Sequence, residues 1–168
     1  MGTRGNVVVM DQGKNLVRIY RQFDTYLSGM GSDLVEFLGH EPRLVNGYNS
    51  QDAAHSSTFN GMGCLAASLI AHLKGGIGGV YIEPLESEPD GLFIEYVYTL
   101  YADEVEEAED GFRGKPGRLY IKVEGMGGES YQTEHGRTQY HYHTIYDGPF
   151  ADFDPVALEK QEREDGDG

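Results

Sequence analysis

The sequence predicts an α+β domain in which one main helix packs on a mostly antiparallel sheet. Three observations carry that expectation. Residues 60–74 hold an apolar stripe at helical spacing, β-prone runs flank it on both sides, and the later runs are separated by turns rather than helices. Parallel neighbours would need long crossovers, which turn-sized gaps do not supply.

Taken in order, Asn6–Met10 and Leu16–Gln22 are β-prone runs joined by Asp11-Gln12-Gly13-Lys14, a hairpin signal. A short helix is expected near 33–38, because Asp33 and Glu36 have capping-box spacing and Gly39 stands at the stop. Residues 40–59 show no periodicity and read as an ordered loop. In the main helix Met62, Leu65, Ala66, Leu69, Ile70 and Leu73 form one stripe, with Asn60 as cap and Gly75-Gly76 as stop. Strands are expected at 79–83, 92–101, 118–124 and 139–146. Pro155, after Asp154, suits the first turn of a last short helix near 154–163.

The 168 residues suit one domain, here 1–158, with 159–168 read as an acidic, disordered tail. The single cysteine, Cys64, excludes an intrachain disulfide and fits a reducing compartment. No apolar run approaches the roughly 20 residues that span a bilayer, and the N-terminus enters a strand pattern directly. A cytoplasmic protein without membrane association is expected.

The net charge of −15 is concentrated: residues 83–90, 102–110 and 159–167 hold four, six and five of the 28 acids. The remainder is close to neutral. Direct nucleic-acid binding is therefore disfavoured, since a backbone-tracking groove needs clustered Lys and Arg. The clustered acids read either as solubilising surface or as mimicry of a phosphate backbone.

Three segments could carry chemistry. On a strand, Arg18, Tyr20 and Gln22 share one face, opposite Val17 and Ile19, and offer a planar cation, a ring and an amide. With Arg21 and Asp24 nearby they could hold a phosphate and a base; the competing reading is a solvated strand face with Arg18 pairing to a neighbouring carboxylate. Asn60, Gly61 and Gly63 open the main helix, where free N–H groups and the dipole favour an anion and glycines allow close approach. The Gly-Lys-Ser/Thr ending of a Walker loop is absent, and tight packing of the helix start is the competing reading. Cys64 reads as a buried filler rather than a nucleophile. His141 and His143 alternate onto one strand face and could act as acid and base. A metal would need His135 or an acid as third ligand, and neither metal nor cofactor is expected. No nucleophile elbow or paired-carboxylate signature is present.

Three stretches resemble a family of small bacterial and phage proteins without an assigned activity. They are Arg18-Ile19-Tyr20-Arg21-Gln22-Phe23-Asp24 with Tyr26-Leu27-Ser28-Gly29, then Val45-Asn46-Gly47, then Asn60-Gly61-Met62-Gly63-Cys64-Leu65-Ala66-Ala67. The resemblance covers about the first 100 residues. Leu27 stands where the family has proline and Met30 where it often has histidine, so a role for that histidine has no counterpart here. The resemblance implies a phage or mobile-element setting, in which small acidic proteins often act against host defence. Three readings follow. The first is a counter-defence protein that sequesters a nucleotide immune signal through Arg18, Tyr20, Arg21 and Asn60–Gly63, with a homo-oligomeric interface as one place for the pocket. The second is an inhibitor that presents the 102–110 acids, Glu104, Glu106 and Glu107 among them, and the 83–90 acids to a host nucleic-acid-binding defence protein. The third is a phosphodiesterase-type hydrolase using His141 and His143.

Overall fold

The computed structural model describes residues 2–47, 57–85, 93–103 and 117–167, and there the chain is an α+β fold built on a predominantly antiparallel sheet. The acids 86–90 and 104–110, much of the expected loop 40–59, and Leu92 at the start of one expected strand lie outside the described residues.

Strands β1 (Gly5–Asp11) and β2 (Lys14–Arg21) form the expected hairpin. Its two loop residues, Gln12 and Gly13, have φ of 49° and 75°. Two positive φ values give the loop the twist that adjoining strands require. A π-helical turn, Leu27–Gly31, then leads into helix α1 (Ser32–Leu38). Gly39, at φ 80°, ends that helix as expected, but no capping box starts it. The preceding π turn supplies the entry, so Asp33 lies inside the first turn and is free to bond elsewhere.

The segment read as a loop contains two short strands, β3 (Arg43–Val45) and β4 (Thr58–Asn60), paired in parallel as a sheet of their own. At three residues each they are too short for any periodicity to register. Helix α2 (Gly61–Leu73) follows, with Met62, Leu65, Ala66 and Leu69 buried and Ile70 and Leu73 packed at the margin. Cys64 is exposed, contrary to expectation, because it lies off that stripe.

The remaining strands are β5 (Val80–Glu83), β6 (Tyr96–Ala102), β7 (Leu119–Gln132) and β8 (Thr138–Pro149). The sheet order is β5-β2-β1-β6-β7-β8. One junction breaks the antiparallel pattern: β1 and β6 run parallel. The hairpin partner, both helices and an edge strand lie between them in sequence, and together they make the long crossover a parallel pair needs. Strands β7 and β8 run well beyond their predicted lengths, because bulges at Val123/Glu124 and Met126/Ser130 carry the glycine-rich stretch without ending the ladder.

The helices cover one face of the sheet. Val7 stands opposite Ile19 and Tyr98, Val9 opposite Val17 and Leu100, and Tyr98 and Leu100 opposite Val123 and Ile121. This row, with Leu34, Leu38, Leu65, Leu69, Phe150 and Phe153, is the core. Helix α3 (Pro155–Gly166) starts as predicted, with Asp154 Oδ1 accepting from the Ala157 N–H at 3.1 Å. It continues to Gly166, so residues 159–166 of the segment read as a disordered tail are helical. Tertiary contacts hold it: Glu162 reaches His143 at 3.1 Å, and Glu159 accepts from the Ser28 N–H at 3.5 Å.

Candidate functional site

The sequence-predicted residues do not gather in one place. Arg18 lies on the sheet face away from the core, bound to Glu83 at 3.1 Å and donating to the Pro84 carbonyl at 2.7 Å. Tyr20, on the same face, is buried and pairs with the Tyr81 ring at 6.0 Å, so this is not a solvated strand face. Arg21 points to the opposite side, as strand alternation requires. Its Nη1 donates to Asp33 at 3.1 Å, and the other Asp33 oxygen meets His72 Nε2 at 2.9 Å. The His72 ring stacks on Phe37 with centroids 4.2 Å apart. This triad joins β2, α1 and α2. Gln22 is tied to Gly79 through its backbone N–H, and Asp24 is an exposed turn residue with φ 56°.

His141 and His143 are exposed on β8 and take different partners. His141 lies against the Tyr131 ring at 4.8 Å, while His143 pairs with Glu162. His135 lies in the turn that joins β7 and β8. Among the described residues no group of three His, Cys, Asp or Glu side chains could hold a metal ion.

Asn60, Gly61 and Gly63 fare differently. They line a cavity of about 640 Å³, together with the β1–β2 turn (Asp11 to Gly13), the end of β3 (Val45, Asn46) and the end of β6 (Tyr101, Asp103). The 45–47 and 60–63 segments thus converge here, although they are separated in sequence. Asn60 does not cap α2 as predicted. Its Oδ1 accepts from the Gly47 N–H at 2.8 Å, which fixes the 45–47 strand end beside the helix. The helix start therefore has no side-chain cap, and its first-turn N–H groups have no partner within the helix. Gly61, at φ 79°, turns the chain from β4 into the helix, and a Cβ at Gly63 would meet no atom within 4 Å.

On the far wall, Asp103 accepts from the Tyr120 hydroxyl at 3.1 Å, and the Tyr101 hydroxyl donates to Asp147. The Tyr101 and Tyr120 rings are stacked at 5.3 Å. Hydrogen bonding to Asp147, reinforced by burial, pushes the Tyr101 pKa up to about 12, so this phenol stays protonated and donating. The cavity offers an uncapped helix start on one side and two carboxylates, Asp11 and Asp103, with an aromatic ring on the other. It suits a ligand with an anionic end and hydroxyl or amino groups some distance from it.

Comparison with known protein families, curated proteins and solved structures finds no match. The functional reading accordingly rests on the site itself.

Sequence reasoning found the helix start but did not place Asp11, Tyr101 or Asp103 beside it, reading Asp103 only as part of the acidic run 102–110. The three line one cavity with the start of α2 only because three strand ends stop at the same edge. It also missed Asp33 and His72, whose pairing depends on how α1 and α2 pack.

Proposed function

We propose that the protein binds a nucleotide-like small molecule in the cavity at the N-terminus of α2. The observation that carries this reading is the uncapped start of α2 opening on a cavity of about 640 Å³. A phosphate would rest on the N–H groups of the first turn, where the dipole favours it. Asp11 and Asp103 would accept from ribose hydroxyls or an exocyclic amine, the role an acid plays beside other helix-bound nucleotides. Tyr101 would lie along the base. In the phage setting that the resemblance implies, such a protein would sequester a nucleotide signal of host immunity.

Native mass spectrometry with a panel of cyclic and linear nucleotides tests the reading. The expected result is a stoichiometric adduct of unchanged ligand mass on the wild-type chain. No adduct with any nucleotide would overturn it, and new product masses would replace binding with catalysis.

A further inference from the structure

A second concavity lies on another part of the surface. Helix α1 and the start of α3 leave between them an open groove of about 630 Å³. Its floor is apolar, with Val35 half-buried, Phe153 and Pro155 buried, and Val156 61% exposed at the edge. The close seating of the two walls depends on Gly31, where a Cβ would lie 2.7 Å from Pro155 Cβ. The rim carries a carboxylate on each side, with exposed His40 one turn beyond Glu36. Glu36 projects from α1, and Asp152 stands on the facing segment; among the described residues neither meets a cation. Asp154 shares that rim but already caps α3.

We infer that this groove docks an extended segment of a partner protein, in which an apolar side chain is flanked by lysine or arginine. Complementary charge selects the occupant. Carboxylates without cations on opposite walls call for two basic groups held some distance apart, and the apolar floor calls for a hydrophobic side chain between them. A metal ion would make no use of that floor, and an anionic membrane would be repelled by the rim. The inference is independent of the nucleotide cavity, since the two sites share no lining residue.

The test is fluorescence anisotropy with a labelled peptide of alternating leucine and lysine. Serine–lysine and leucine–glutamate peptides of the same length serve as controls. The leucine–lysine peptide should bind, and both controls should not. E36K/D152K should weaken binding by roughly tenfold or more. E129K/E134K makes the same change in charge on the distant β7–β8 hairpin and should leave binding within about a factor of two, apart from its small effect on the overall field. Unaltered far-ultraviolet circular dichroism would confirm that each variant folds. Three results would overturn the inference: no binding of the leucine–lysine peptide, equal binding of the serine–lysine peptide, or equal loss in both double variants. The last two would reduce the effect to attraction by an acidic protein.

Discussion

Replacing Gly63 with glutamate should stabilise the protein and abolish ligand binding, two effects that seldom go together. Gly63 is the third residue of α2, exposed, with no atom within 4 Å of where a Cβ would lie. Removing a helical glycine is worth about 0.5–1 kcal/mol. A carboxylate in the first turn adds roughly 0.3–1 kcal/mol through the dipole, and at this position it can also reach back to the N-cap N–H. The sum, about 1–2 kcal/mol, corresponds to a rise in melting temperature of roughly 2–8 °C for a chain of this size. Binding moves the other way. A carboxylate about 4 Å from a bound phosphate costs on the order of 4 kcal/mol at an effective dielectric of ~20, or nearly a thousandfold in Kd. Gly63→Lys separates the contributions: it keeps the propensity gain, forgoes the dipole gain, and leaves the anion site attractive. Calorimetric melting and nucleotide titration of both variants make the measurement. A Gly63→Glu protein that melts no higher than wild type would refute the uncapped helix start. One that binds nucleotide as tightly as wild type would refute the placement of the anion there.

Three further outcomes are expected. Asp33→Ala should destabilise by about 1–2 kcal/mol, because it strands Arg21 and His72 together; denaturant titration of a double-mutant cycle with Arg21→Ala should show coupling of about 0.5–1 kcal/mol, as these groups are a quarter to a third exposed. Tyr101 should ionise near pH 12 rather than 10, seen as the phenolate absorbance missing from Tyr101→Phe. Because its folded pKa is raised, the stability it contributes is full below pH 10 and lost as pH rises through 12. Gly31→Ala has an acceptable backbone, with φ −59° and ψ −46°, yet should destabilise by about 1–3 kcal/mol in a thermal melt. Its Cβ would sit 2.7 Å from a proline ring that cannot swing aside.

What the sequence determined by itself is local. The Gln12-Gly13 turn, the stripe of α2, Gly39 as a helix stop and the Asp154-Pro155 start each depend on interactions within about one turn of chain, so composition and spacing reveal them. The split between Arg18 and Arg21 is likewise implicit in strand alternation. Tertiary structure decided the rest. The parallel join of β1 and β6 follows from where the helical layer packs, and no pattern in either strand encodes it. Tyr20 is buried although its alternation marks it for the polar face, because what covers a sheet face is not written in the strand. Asn60 has the chemistry of a helix cap, and Gly47, thirteen residues earlier, takes it away by offering a better-placed N–H. The same capture leaves the start of α2 open and brings it against Asp11 and Asp103. A site of that kind is assembled from strand ends far apart in the chain, and sequence spacing carries no record of which ends will meet.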